Sequence, residues 1–151
     1  MTISYKPAGH QAVIPYLQIP NAGQELEFLG KVFHAKESHV SRDLQGRVIH
    51  ATVSIGDSVI MLAEASPQWP AVPANVYVYV TDVDAAYARA LASGAASVMK
   101  PADQFYGDRN CGVKDSNNIT WWIATHIEDV SPAELQRRSE EAMKKRAQAP
   151  A

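Results

Sequence analysis

The 151-residue sequence contains one cysteine, Cys111. A lone thiol closes no internal disulfide, so nothing in the chain requires an oxidising compartment. No apolar run reaches the ~18 residues of a membrane span. The stretch Met1–Val13 lacks the basic-then-apolar layout of a secretory signal. Basic surplus is also missing: 14 Lys and Arg stand against 16 Asp and Glu, for a net charge of −2. A duplex nucleic-acid binder normally carries the opposite balance. No glycine-rich phosphate loop or nucleophile elbow occurs, and no two of the five histidines have the i,i+4 spacing of a helical metal motif. These absences lead to the expectation of a soluble cytoplasmic protein with no membrane and no nucleic-acid partner. What is present is an ordinary globular composition, 46% hydrophobic and 20% charged. The length fits a single domain that buries about 68–70% of its unfolded surface.

A weak internal repeat recurs at an offset of 61 residues. The first copy opens with an apolar strand, Val13–Ile19, followed by Asn21 as a helix N-cap. Leu26, Leu29, Val32 and Phe33 then recur at helical spacing. The second copy opens with Val76–Val80, has Asp82 as N-cap and stops its helix at Gly94. Three strand-like runs follow each helix. They are Lys36–Arg42, Arg47–Ile55 and Ser58–Glu64, then Ser97–Phe105, Asp108–Lys114 and Ile119–His126. The fold class expected is α+β, with two tandem β-α-β-β-β modules. Module one covers about residues 10–66, a proline-bearing linker 67–74, module two about 75–130 and a C-terminal helix 131–147. Ser131-Pro132-Ala133-Glu134 is the N-terminal signature of that helix. Its thin apolar edge suits a solvated helix or a dimer contact.

Strand alternation separates two faces. Val76, Val78 and Val80 share one face of their strand, and Asn75, Tyr77 and Tyr79 share the other. The repeat offset carries the second face to Ile14, Tyr16 and Gln18. It also pairs Met61 with Trp122, and His126 continues the Trp122 face. One concave side is therefore expected to show Tyr16, Gln18, Met61, Tyr77, Tyr79, Trp122 and His126. Aromatic walls with a few polar groups describe a small-molecule cavity, although the same side chains could fill a core between two sheets.

Several stretches resemble the vicinal oxygen chelate superfamily, which includes glyoxalase I, bleomycin resistance proteins and extradiol dioxygenases. They are Ile14-Pro15-Tyr16-Leu17, His50-Ala51 with the run from Ile55 to Glu64, and Tyr79-Val80-Thr81-Asp82-Val83-Asp84. Tyr106-Gly107-Asp108-Arg109 and Trp121-Trp122-Ile123-Ala124-Thr125-His126 complete the set and look like the PhnB-like branch. The resemblance covers residues 10 to 135. It implies a curved mixed sheet of the glyoxalase-like kind and a homodimer. The family usually shows Asp-Pro-x-Gly before its last strand, where this chain has Asp115-Ser116-Asn117-Asn118. Asparagine tolerates the left-handed geometry such a turn needs.

Metal-dependent members place His, Gln or Glu ligands on the first and last strand of each module. Carried over residue by residue, those positions fall at Ile14, Met61, Asn75 and Trp122. Isoleucine and tryptophan do not ligate, so no metal and no other cofactor is expected. Glu64 could replace one ligand only if a bulge reversed its pleat parity. His126 could bind a ligand or act as a base, and His50 could face the first module's groove. Arg109 could hold an anionic group bidentately or serve a structural ion pair. No sequence feature supplies Cys111 with a base.

Three functions compete. The first is a metal-free binder of a small aromatic or polar molecule, with affinity from Tyr77, Tyr79 and Trp122 and orientation from Arg109 and His126. The second is a metal-dependent lyase, isomerase or dioxygenase with a non-standard ligand set. The third is a cofactor-free enzyme in which His126 or another pocket group moves a proton.

Overall fold

The computed structural model describes residues 2–150. Its first copy comprises β1 (Tyr16–Ile19), α1 (Ala22–Phe33), β2 (Lys36–Arg42), β3 (Val48–Ile55) and β4 (Ser58–Glu64). The second comprises β5 (Ala74–Tyr79), α2 (Val83–Ala92), β6 (Ala96–Asp103), β7 (Asp108–Lys114) and β8 (Ile119–His126). The last helix is α3 (Pro132–Gln148). Each copy makes one four-stranded mixed sheet, ordered β1-β4-β3-β2 and β5-β8-β7-β6. The outer pair β1/β4 or β5/β8 is parallel and the rest antiparallel. This is the α+β architecture expected from the repeat.

Local chemistry sets the element ends. Asn21 accepts a hydrogen bond from the Gln24 N–H at 2.9 Å, and Asp82 accepts from Ala85 at 3.0 Å. Each cap satisfies a donor that the first helical turn leaves free. Gly94 takes φ +95 after α2, as its position predicts, whereas α1 ends on His34 with φ 55, a stop with no glycine to mark it. β1 begins at Tyr16 rather than Val13. Pro15 has no N–H to give the ladder, and only its carbonyl pairs, accepting from Met61 at 2.9 Å. β5 starts at Ala74, two residues before the predicted strand, because Ala74 and Asn75 pair with Ile119 and Thr120.

One hydrophobic cluster spans both modules, with Ile19, Leu29, Val32 and Leu62 from the first and Val113, Ile119, Trp121 and Ile123 from the second. Trp121 is fully buried and packs on Phe33 with ring centroids 5.2 Å apart. A buried aromatic of this size contributes on the order of 4–6 kcal/mol. Its indole N–H donates to Asp115 at 2.7 Å.

A polar clamp joins the modules beside it. Asn117 accepts from the Asn21 N–H at 2.9 Å, and its amide donates to the Asn21 carbonyl at 3.0 Å and to Glu25 at 2.8 Å. Asn118 takes the left-handed conformation (φ 63) that the family's glycine would hold. Glu25 is buried, and burial together with the neighbouring Asp115 carboxylate pushes its pKa up to about 9. At neutral pH it is therefore an uncharged acid. No helix among the described residues is long and apolar enough to cross a membrane.

Candidate functional site

Both helices cover one face of their sheet and leave the other open. In module two the open face carries Tyr77 and Tyr79 from β5, Trp122, Ala124 and His126 from β8, and Asp108, Asn110 and Gly112 from β7, as the strand register requires. The sequence pattern predicts the β5 and β8 members. It does not predict Asp108, which organises them.

Asp108 is 4% exposed. Its Oδ2 accepts from the Tyr77 hydroxyl at 2.8 Å and the Tyr79 hydroxyl at 2.9 Å, and its Oδ1 meets His126 Nδ1 at 2.9 Å. The two tyrosines reach it from two strands away across Ala124, which pairs with Tyr79 on one side and Asn110 on the other. A larger residue at 124 would stand in their path. Burial opposes ionisation of Asp108, but the bonds from His126, Tyr77 and Tyr79 outweigh it and hold the carboxyl below its usual range. Burial and the same carboxylate raise Tyr77, and the bond to Asp108 raises Tyr79, so both phenols stay protonated donors. His126 is raised above the usual imidazole value by Asp108 and by Asp129, whose Oδ1 lies 2.9 Å from Nε2. An imidazole held at Nδ1 by a buried carboxylate and met at Nε2 by the exposed Asp129 has a fixed ring.

The neighbouring polar groups extend the network. Asn110 donates to the Tyr106 hydroxyl at 2.7 Å and lies 3.4 Å from that of Tyr77. Its Oδ1 is buried without a partner among the described residues. Gly107 sits at φ +99, where a Cβ would run into the Glu128 carbonyl. Its own carbonyl accepts from Ile127 and Glu128. Tyr106-Gly107-Asp108 is thereby locked to the segment that follows His126. Trp122 lies flat over Gly112, where an added Cβ would come within 2.6 Å of the indole ring. Its N–H donates to Asn75 at 3.1 Å.

Tyr77 and Tyr79 remain 45% and 62% exposed. A groove of about 390 Å³ runs between Tyr77, Trp122, Tyr106 and Asn110 and ends at Arg146 of α3. A cleft of about 650 Å³ between the modules reaches Tyr79 and His126.

Module one brings Tyr16, Gln18 and Met61 to its own open face, Tyr16 beside Met61 and Gln18 beside Ala63. His50 joins them, its ring 5.8 Å from that of Tyr16. Tyr16, Gln18 and Ala63 line a separate hollow of about 500 Å³ with Glu64 and Trp69. Arg109 is not brought to either open face. Pleat parity turns it toward α2, where it forks onto Asp84 at 2.8 and 2.9 Å and reaches Asp103 at 3.0 Å. Its structural ion pair is formed, and it does not orient a ligand beside Trp122. Cys111 shares that covered face, and burial pushes its thiol up to about 11.

The family model for the glyoxalase, bleomycin resistance protein and dioxygenase superfamily matches residues 10–123. The chain belongs to that superfamily. An uncharacterized protein of Mycobacterium bovis is 31% identical over 147 residues, covering 90% of this chain and 94% of the relative. Among solved structures, TioX from a Micromonospora species aligns with a TM-score of 0.66 at 23% identity, over 78% of this chain and 99% of that one. TnmS3, an antibiotic binding protein from a Streptomyces species, aligns at 0.56 and 20% identity, over 78% and 99%. The fosfomycin resistance protein FosX from Mesorhizobium loti aligns at 0.58 and 16%, over 82% and 95%. These structural likenesses show the fold.

The superfamily's metal does not fit this donor set. Asn75 and Trp122, at two of the positions that the resemblance assigns to metal ligands, are bonded to each other. Ile14 and Met61 offer no hard donor for a divalent ion. Glu64, the possible substitute, faces the covered side and caps α1 by accepting from the Ala22 N–H at 2.6 Å. Thr125 does the same for Val83 in module two, at 3.0 Å.

Proposed function

We propose that this protein is a cytoplasmic, PhnB-like member of its superfamily that binds a small aromatic or polar organic molecule in a metal-free cavity. The observation that carries the reading is the state of the module-two face. Its aromatic side chains are exposed, yet a buried carboxylate holds them in place. Ordering a side chain at an interface costs about 0.5–1.5 kcal/mol, and here Tyr77 and Tyr79 are ordered before any ligand arrives. Tyr77, Tyr79 and Trp122 supply stacking area, and His126 supplies a directed polar contact. The antibiotic-binding relative supports the same role. Two copies pairing as a homodimer would cover the open faces, Tyr16, Gln18 and Met61 included, and would close the cavity. Sedimentation equilibrium at micromolar concentration should then give twice the chain mass.

The test is a thermal-shift screen of aromatic small molecules in the presence of a chelator, followed by the same screen on Trp122→Ala. Stabilising compounds should appear with the chelator present and lose their effect in the variant. Stabilisation that needs added Zn, Ni, Mn or Fe(II), or stoichiometric retention of one of them, would contradict the metal-free reading. The Asp108–His126 pair favours one second reading, proton donation from His126 to a bound substrate. Turnover abolished by His126→Gln, with binding retained, would distinguish it from sequestration.

A further inference from the structure

The sequence reads α3 as a solvated helix or a dimer contact with a thin apolar edge, and in the structure its C-terminal part also borders the module-two groove. Glu134, Arg138 and Ala142 are its half-buried residues, together with Ser139. Three of them are spaced by four, so they form one stripe facing the body of the protein. Arg138 pins that stripe. It bonds Glu128 at 2.7 and 2.9 Å, the Phe105 carbonyl at 3.2 Å and Glu134 at 2.7 Å. The exposed Arg146 continues that line four residues beyond Ala142, about 12 Å along the helix from Arg138. Arg146 lines the groove of about 390 Å³ with Tyr77, Tyr106, Trp122 and Asn110.

Arg146 differs from the other arginines. Arg47, Arg109, Arg137 and Arg138 are each in an ion pair, and Arg42 and Arg89 donate to backbone carbonyls. The Arg146 guanidinium has no side-chain hydrogen bond or ion pair among the described residues. No Asp or Glu among the described residues lines this groove. Tyr106 accepts from Asn110, and its own hydroxyl proton has no partner among the described residues. Asn110 Oδ1 is unpartnered in the same place. The groove therefore has flat aromatic walls, one free guanidinium and one free phenol donor.

We propose that this groove takes a planar aromatic molecule bearing a carboxylate. The ring lies against Trp122 and Tyr77, and the carboxylate is held by Arg146 with the Tyr106 hydroxyl as a second donor. This rests on the small-molecule reading above and adds the charge and shape of the ligand. A guanidinium matches a carboxylate bidentately, which a neutral amide of the same shape cannot reproduce.

The test uses a matched pair of probes, naphthalene-2-carboxylate and naphthalene-2-carboxamide, titrated into the full chain by NMR. The wild type should bind the acid about tenfold tighter than the amide. Arg146→Gln should abolish that preference while leaving amide binding intact, and Arg146→Lys should restore part of it. Tyr106→Phe should reduce it less than Arg146→Gln. Equal affinity of the wild type for both probes would overturn the inference and leave the small-molecule reading standing. So would a preference for the acid that survives Arg146→Gln. Failure of both probes to bind, while the screen of other aromatics also finds nothing, would overturn the two together.

Discussion

On the open face of module one Tyr16 leans against His50, and the strand register slips just before His50, so that Val48 packs into the core beside Gly23 of α1 instead of standing where Asp108 stands in module two. Thr52 stands opposite Met61, whereas Gly112 stands opposite Trp122. The pairings His50–Ala63 and Thr52–Met61 match Asn110–Ala124 and Gly112–Trp122, so the contrast lies in that slip and in a few side chains. A buried carboxylate fixes two phenols and an imidazole in module two, and a missing Cβ lets an indole lie flat. Module one has aromatic and polar residues in the corresponding places but no group that holds them. A duplicated scaffold thus supplies one face whose phenols and imidazole are held and one whose aromatic and polar residues are not.

The largest effect is expected from removing the carboxylate that holds the module-two face. Asp108→Val leaves two hydroxyls and His126 Nδ1 without their acceptor. It should cost roughly 2–4 kcal/mol in chemical denaturation and abolish aromatic ligand binding. His50→Ala on the other face should leave ligand binding unchanged. The His126 pKa, followed by NMR, should fall toward its ordinary value in the Asp108 variant. Because folding raises that pKa, the stabilisation from His126 is complete below about pH 6.5 and is lost as pH rises through its folded value.

The seam between the two faces gives the next prediction. Glu25 has its folded pKa raised from 4.5 to about 9. The folded protein therefore binds more protons than the unfolded chain between those values. Stability from this group falls as pH rises across that window, with a slope of up to about 1.4 kcal/mol per pH unit. Glu25→Gln keeps the shape of the neutral acid and its donor toward Asp115. Urea unfolding at pH 5, 7 and 8.5 should show the variant's slope flattened and the variant more stable at pH 8.5.

Smaller effects sharpen the contrast. Gly112→Ala should displace the Trp122 ring, weaken aromatic ligands and shift the indole N–H resonance that reports the bond to Asn75. Its stability cost should stay at about 1 kcal/mol or below, since a half-buried ring can move. Arg109→Gln should change ligand affinity least. Its ion pairs lie at the surface of the covered side, and their loss should cost about 1 kcal/mol or less.

Much of this was readable in the residues. The caps Asn21 and Asp82, sixty-one positions apart, mark both helix starts, and strand alternation gives Tyr77, Tyr79, Trp122 and His126 a common face. Parity also shows why Glu64 turns away. Arg109 was ambiguous because its role depends on Asp84 on another element, and sequence spacing does not reveal such a partner. Asp108 stands in the Tyr106–Arg109 stretch with nothing beside it in sequence to show its role, since a buried carboxylate is defined by the three donors that converge on it. Asn117 looked like a turn residue, and only its contacts with Asn21 and Glu25 show that it joins the modules. Arg146 was hidden by the charged composition of its helix.

The most direct measurement is chemical-shift mapping of the protein with stabilising aromatic compounds in chelated buffer. The account predicts perturbations concentrated on Tyr77, Tyr79, Trp122 and His126. Perturbations confined to Tyr16, His50 and Met61, or appearing only after a metal ion is supplied, would contradict it.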